Sequence, residues 1–572
     1  MDAFNSLMVS MNAVLWHNVV LYGLIVVGVL FTVWSRFGQA IALTHGWRVV
    51  RGQYDHPSDP GAINHFQALS AALSATVGLG NIGGVALAIS LGGPGAVFWM
   101  WVIGFVGMAI KMTEVTLSML YRDTSDPDEP RGGPMWVVKI GLSRLNPGLG
   151  WVGTLIGGLF CVTLLVATIT GGNMFQAWNV GKLTQSYFGI PSIFTGIVLA
   201  ILVALVIIGG IKRIGSVAGH LVPVMMLLYI VGGLFVLAVH IGEIPAVLGM
   251  IIKGAFAPTE AAGAFIGGTF GSAFLFGMKR ALFSNEAGQG SSPIAHSAAK
   301  TNEPVREGVV AGLEPFIDTL VVCTFTALVI LSTGVWNRGP DAMFSQAPAF
   351  TQQANGSWVL DSTPAPALSG GEWLAGEPVY TVIEAHENEA AGNARHRLEG
   401  SIVERSGQLY IDWESVDGGV EPTLVEPGVY DDYAGATLTA KAFDQAAPGL
   451  GKWLVTLAAW LFAISTMISW SYYGEQGMVY MLGRRSVLPY KVFYCAAIVV
   501  ATTSLIQTDT ELDNLTGVGT GLMLFVNIPI MLIFGAQAMK AYHSYVDRLR
   551  KGEMPMHAAP SIADVVAGRD GK

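Results

Sequence analysis

The sequence predicts an all-α polytopic membrane protein of eleven transmembrane helices, two of them discontinuous, with a small strand-rich insert outside the membrane. Three observations carry this. Of 572 residues, 52% are hydrophobic and 12% charged, a balance typical of membrane chains rather than soluble domains. Apolar windows long enough to cross about 30 Å of hydrocarbon recur along the chain. In the middle of one window, four glycines fall within seven residues, at 78, 80, 83 and 84.

The windows lie near 18–35, 65–91, 94–121, 151–178, 191–211, 217–241, 262–285, 308–335, 452–481, 489–508 and 515–540. The first seventeen residues hold no Lys or Arg, so the first window reads as a retained helix, not a signal peptide. Twenty-two of the 31 basic residues follow the first, third, fifth, seventh and ninth windows or close the chain. Cytoplasmic loops collect Lys and Arg, which predicts a cell inner-membrane protein with its N-terminus outside and its C-terminus in the cytoplasm. The expected division is 1–64 (extra helix and loop), 65–335 (core, first part), 336–450 (insert), 451–541 (core, second part) and 542–572 (tail).

Residues 336–450 hold seventeen acidic against five basic residues, so the whole acidic balance of the chain sits there. The runs Tyr380–Ile383, Gln408–Ile411 and Ala436–Thr439 read as short strands; a disordered acidic loop is the alternative. A module of this kind could meet a periplasmic partner. Cys161, Cys323 and Cys495 lie in apolar windows and are expected as buried free thiols, with no disulfide framework or Cys-based metal site.

Glycine costs about 1 kcal/mol in a helix interior, and in hydrocarbon each freed N–H or C=O needs a partner. The run Ser74–Val85 therefore reads as the unwound middle of a broken helix, with close helix packing the alternative for any single glycine cluster. A second run, Gly263–Ser272, holds Gly263, Gly267, Gly268 and Gly271, five windows later. A matched pair of interrupted spans is the mark of an inverted repeat, here helices two to six and seven to eleven.

Half-helix N-terminal amides suit a carboxylate and opposing carbonyls suit a cation. The amides of Leu79 and Gly80, beside Gly78, are candidate carboxylate donors. The carbonyls of Ser74 and Val77 are candidate cation ligands. Asn81 is either a ligand or a cap on freed backbone. The adjacent hydroxyls of Ser465 and Thr466 either complete an oxygen shell or bond to their own helix. Gln176 is the polar group of the fourth helix expected to face a substrate. Lys111 with Glu114, and Glu314 with Asp318, are ionisable groups at membrane depth; locally paired or snorkelling charges are the alternative. No enzyme constellation is present: Ser74 and Ser284 lack a positioned His, no HExxH occurs, and no strand or acidic ribose partner follows Gly78-Leu79-Gly80. Basic residues confined to membrane-flanking loops argue against nucleic-acid binding.

The runs Ala75–Val85 and Leu91–Trp101 resemble the alanine or glycine:cation symporter family, the sodium:alanine symporters. Gly132–Met135, Ile208–Ile214, Leu282–Gly288 with Pro293–His296, and Trp470–Glu475 extend the resemblance. It implies a LeuT-type inverted-repeat fold, a small neutral amino acid as substrate and Na⁺ as coupling ion, with no other cofactor. It also implies substrate contacts at Leu79, Gly80, Asn81, Gln176, Thr269, Gly271 and Ser272, and a Na⁺ site of Ser465, Thr466 and the carbonyls of Ser74 and Val77. The chain departs from the family at Leu79 (usually Thr), Gly83 (usually Ala), Phe270–Ala273 (usually a Val-Ala-Gln-Ala type run), Gln289 (usually Leu) and in its long insert. The exchanges at Gly83 and Ser272 are expected to enlarge the pocket and Phe270 to fill volume. Alternative readings are a membrane-embedded sensor signalling through the insert, and H⁺ coupling through Glu314 or Asp318.

Overall fold

The computed structural model describes residues 2–56, 58–126, 129–368, 372–417, 420–433, 435–503 and 509–569. Among them, six helices are long and apolar enough to cross a membrane: Gly95–Leu120, Pro147–Phe188, Gly210–Val239, Pro304–Thr333, Gly451–Leu482 and Glu511–Arg550. Two bent pairs, Ser6–Leu15 with Asn18–Trp34 (42°) and His65–Thr76 with Gly80–Gly92 (51°), bring the number to as many as eight. The windows at 191–211, 262–285 and 489–508 correspond to shorter helices, Ser192–Ile207, Phe270–Asn285 and Val487–Ala501. Large apolar side chains on the outer helices, such as Leu155, Leu159, Ile201, Leu205, Leu227 and Leu234, are exposed. So broad an apolar surface fits lipid, not water.

The helices that build the centre are α1 (His65–Thr76), α2 (Val85–Gly92), α3 (Gly95–Leu120), α4 (Gly150–Ile169), α5 (Phe175–Phe188), α6 (Phe270–Asn285), α7 (Ser292–His296), α8 (Thr324–Thr333), α9 (Ala436–Ala446) and α10 (Thr456–Leu482). Helix α1 starts where Asn64 Oδ1 accepts the Gln67 N–H at 2.7 Å, a side-chain N-cap. It stops at Val77, whose ψ of 88° leaves the helical region. A π-turn over Gly80–Gly84 then restarts the chain into α2.

The second break is not where the glycines at 263–272 predicted it. That stretch is an irregular turn held by bridges Thr259↔Gly268 and Ala262↔Phe265. Its glycines serve backbone shape: Gly263 (φ 52°) and Gly267 (φ 107°) are in the left-handed range that favours glycine. The insert also approaches them closely, since a Cβ on Gly263 would collide with Arg338 O. Thr269 caps α6 by accepting the Ser272 N–H at 3.2 Å, and α6 then runs unbroken to Asn285. The chain breaks there instead, through Glu286 in the left-handed conformation (φ 55°), Gly288 (φ 81°) and Gly290 (φ 82°), before α7 begins. Lys279 and Arg280, two of the basic residues counted as following the seventh window, lie buried inside α6 instead and pair with Asp513 of the last long helix.

Between Ala342 and Asp431 lies a strand-rich region, all antiparallel. Its larger sheet runs β1 (Ala342–Met343), β9 (Gly428–Asp431), β4 (Pro378–Asn388), β5 (Asn393–Arg405), β6 (Gln408–Trp413), with β8 (Thr423–Leu424) also on β4. A smaller sheet joins β2 (Phe350–Gln352), β3 (Trp358–Leu360) and β7 (Ser415–Val416). The strands expected at 380–383 and 408–411 fall within β4 and β6. The one expected at Ala436–Thr439 is instead the start of α9. Ala436, Ala440 and Phe443 recur at helical spacing and are buried; Phe443 meets the ring of Tyr229 with centroids 5.7 Å apart, so tertiary packing overrides the alternating pattern.

Candidate functional site

The two breaks meet at the centre of the molecule, tied by one buried carboxylate. Asn81, in the first break, accepts the Gly78 N–H through Oδ1 at 2.8 Å and donates to Asp318 Oδ1 at 2.6 Å. Ser284, at the end of α6, donates to the same Asp318 oxygen at 2.9 Å, and Thr319 donates to Oδ2 at 2.7 Å. Asp318 lies in a π-helical stretch, Phe316–Cys323, the kind of local widening that recurs at functional sites. Asp318, flagged in the sequence as an ionisable group, is thus the link between the broken helices.

A cavity of about 10 Å³ lies between the breaks, lined by Gly78, Gly80, Gln176, Ser284, Phe283 and Trp470, among others. That is room for about one water, so the centre is closed in this conformation. A second π-turn, Thr170–Met174, precedes α5. Gln176 donates to Gly171 O there (3.1 Å) and accepts the Leu79 N–H (3.0 Å). Its carbonyl therefore occupies the amide expected to bind a carboxylate. Of the amides leading into the Gly80–Gly84 turn, those of Gly78, Leu79 and Asn81 are engaged, by Asn81 Oδ1, Gln176 Oε1 and Gly78 O (3.1 Å). Phe283 closes over Gly171, where a Cβ would lie 3.0 Å from the ring, and a Cβ on Gly172 would collide with Trp470.

Three of the four candidate cation ligands, Ser74, Ser465 and Thr466, lie beside the end of α1. Ser74 Oγ donates to Ser465 O at 2.7 Å, and Ser465 Oγ lies 3.4 Å from Ser74 O and 3.0 Å from Phe462 O. Thr466 Oγ1 is buried and has no hydrogen-bond partner among the described residues. It sits against Gly78, where a Cβ would collide with it. A buried unpaired hydroxyl is costly, and an oxygen-only donor set of hydroxyls and carbonyls at the C-terminal end of α1 fits a hard cation.

Thr269, Gly271 and Ser272 do not join this site. They sit at the far end of α6, about 20 Å along the helix from Ser284 at 1.5 Å per residue, and Thr269 N donates to Ala390 O of the insert. Nor does Gly83 enlarge the pocket: a Cβ there would lie 2.9 Å from Asn179 Oδ1 and 3.0 Å from Ala436 N, so its bareness lets α5 and α9 both close on the first break. Phe270 packs near Trp99 and Phe274, away from the cavity. Below the second break, Lys111 pairs with Glu114 (3.5 Å) and Glu314 (3.4 Å). Glu314 continues through His296 (2.5 Å) and Glu307 (2.5 Å) to His65. All six are fully or almost fully buried. They form one charge network rather than separate snorkelling charges, and the histidines and Glu307 had no periodic signal to mark them. Ser284, Phe283 and Trp470 were also missed as site residues, although all three fall in motifs that carried the family resemblance.

The profile of the sodium:alanine symporter family matches residues 1–363 and 423–559. The chain belongs to that family. Its members are transporters, so this symporter-family chain moves a solute and is not an enzyme, and its apolar helices are those of a multi-pass membrane protein. Sodium/alanine symporter AgcS of Methanococcus maripaludis is 35% identical over 515 residues, covering 90% of this chain and 92% of the relative. The putative sodium/proton-dependent alanine carrier protein YrbD of Bacillus subtilis is 32% identical over 551 residues, covering 96% and 93%. A solved structure, MhsT in complex with L-phenylalanine, aligns at a TM-score of 0.48 and 13% identity, covering 90% of this chain and 96% of that one.

Proposed function

We propose that the chain is a Na⁺-coupled symporter that imports small neutral amino acids such as alanine or glycine by alternating access. In this reading it crosses a cell inner membrane eleven times, N-terminus out and C-terminus in. Helices two to six and seven to eleven are its inverted repeats, each opened by a broken helix: α1–α2 and α6–α7. The substrate lies in the closed cavity between the breaks. Its carboxylate meets the turn at Gly78–Gly80 by displacing the Gln176 carbonyl from the Leu79 amide, and Asn81 holds the turn open for it. Na⁺ sits between α1 and α10 on Thr466 Oγ1, Ser465 Oγ and the carbonyls of Ser74 and Val77.

The observation that carries this reading is the unpartnered Thr466 hydroxyl beside Gly78. It joins the cation ligands to the first break, so filling one site steadies the other. That adjacency gives a physical route for coupling: a cation that fixes the end of α1 preorganises the amides that receive the carboxylate. The names of both aligned carriers agree with alanine as the cargo. The test is a thermal-shift screen of amino acids on the purified protein with Na⁺ or with K⁺. A ligand that binds only the folded state raises the melting temperature. Alanine, glycine or serine should raise it in Na⁺ and not in K⁺; no shift with any small neutral amino acid would sink the assignment.

A further inference from the structure

The segment that follows the last long helix is laid across the start of α1. The His557 N–H donates to Gln53 O at 2.8 Å, and Pro560 lies against Gly52, where a Cβ would come within 3.3 Å of the proline ring. The chain then turns into a short helix, α11 (Ile562–Val566), begun by Ser561, whose Oγ accepts the Asp564 N–H at 3.1 Å. The family match ends at residue 559, so α11 lies outside the part that the chain shares with the family profile.

What α11 holds is the first turn of α1. Asn64 Nδ2 donates to Val565 O at 2.7 Å, and Gln67 Nε2 donates to Val566 O at 3.3 Å. Asn64 is also the residue whose Oδ1 caps α1, so one side chain both starts that helix and ties it to the tail. Gly568 (φ 70°) lets the chain pass close by, since a Cβ there would fall 2.8 Å from Gln67 Nε2. The tie is small. Val565 is buried at 6% exposure, whereas Ile562 is 83% exposed. Two neutral hydrogen bonds and one buried side chain hold a segment in place without making its release prohibitive.

The place of the tie gives it a use. Helix α1 does not continue into α2: Val77 leaves the helical region, and the two halves meet at 51°. A half-helix that ends at such a break can tilt without dragging the other half, with the unwound residues as hinge. Its far end, about 15 Å from Asn64 at 1.5 Å per residue, carries Ser74, Val77 and Gly78 of the candidate site. A cleft of about 280 Å³ borders the residues just ahead of α1, with Ala62, Gly210 and Ile211 on its wall, which leaves room for the start of the helix to move. We propose that α11 is an autoinhibitory strap. Docked, it holds α1 against the body and slows release of cation and solute to the cytoplasm; undocked, it lets the start of α1 swing out. This rests on the alternating-access reading above.

The test compares the full-length protein with a chain that stops at Pro560 and with Val565→Ser. Amide hydrogen exchange is followed on the purified proteins in Na⁺, and alanine uptake in proteoliposomes. In both variants exchange over residues 65–77 should quicken about fivefold, the worth of one neutral hydrogen bond, while exchange over Gly451–Leu482 stays as in the wild type. The maximal uptake rate should rise by up to the same factor. Unchanged exchange over 65–77 in both variants overturns the strap. So does faster exchange with uptake at or below the wild-type rate, which makes α11 a structural prop. If the shortened chain also exchanges faster over Gly451–Leu482, its fold is loosened and Val565→Ser decides; loosening in both variants overturns the proposal. A wild type that transports no small neutral amino acid overturns the transport reading, and the exchange comparison still decides whether α11 restrains α1.

Discussion

Exchanging the two residues that tie the broken helices gives the most discriminating single experiment on the site. In Asn81→Asp the side chain keeps its shape and still accepts the Gly78 N–H, but it loses the NH₂ that donates to Asp318 at 2.6 Å. Two buried carboxylates then face each other, and one of them must take up a proton. Asp318 accepts from three side chains, Asn81, Ser284 and Thr319. Removing one partner of such a buried charged group costs about 3–5 kcal/mol. At about 1.4 kcal/mol per factor of ten, even the lower figure depletes the tied state roughly a hundredfold, and Na⁺-driven uptake should fall accordingly. Asp318→Asn keeps a neutral amide in place and should cost less. The double variant, Asn81→Asp with Asp318→Asn, restores one donor facing one carboxylate and should recover at least half of the loss in free energy. Uptake and melting temperature of all four proteins close the cycle. Wild-type uptake by Asn81→Asp, or a double variant no better than the worse single one, would refute the tie.

The remaining predictions address the neighbouring parts. Gly78→Ala places a methyl group onto Thr466 Oγ1 and 3.2 Å from Gln176 Oε1, so the Na⁺ concentration for half-maximal uptake should rise more than tenfold. Gly80→Ala, whose nearest contact is an ordinary 3.4 Å to Phe283, should do much less. Glu314→Ala strips Lys111 and His296 of a shared buried partner and should cost about 3–5 kcal/mol, read as a lowered melting temperature in detergent. In the insert, burial pushes the Asp431 carboxyl up to about 7. The folded form therefore keeps a proton that the unfolded chain, near 3.9, releases, and stability falls as pH rises from about 4 to 7. Limited proteolysis of the insert against temperature should show this trend, and Asp431→Asn should flatten it.

The first break was legible in four glycines within one apolar window, a pattern that close helix packing also explains, and Ser74, Gln176, Ser465 and Thr466 fold in around it. The second break was misplaced because glycine density marks several different needs. At 263–272 it serves left-handed turns under the insert, whereas the real break is led by a non-glycine residue, Glu286, held at positive φ by its surroundings. Gly288, Gly290 and Pro293 were the signal, and they lay in a segment that looked like a loop after a helix. Asp318 could be singled out as a charge at membrane depth, but its partners Asn81 and Ser284 lie 237 and 34 residues away. No periodicity reports contacts of that kind. The strand pattern at 436–439 failed for a related reason, since Ala-Thr-Leu-Thr fits either period and only the packing of Phe443 decides it.

The central claim is that a cation held beside the first break drives amino-acid uptake. It is tested most directly by alanine uptake into proteoliposomes under an inward Na⁺ gradient, comparing the wild type with Thr466→Val, which removes the hydroxyl and keeps the shape. The account predicts accumulation in Na⁺ and little in K⁺ for the wild type, with the difference abolished in Thr466→Val. Equal uptake in Na⁺ and K⁺, or a Thr466→Val protein that keeps the full Na⁺ dependence, would contradict it.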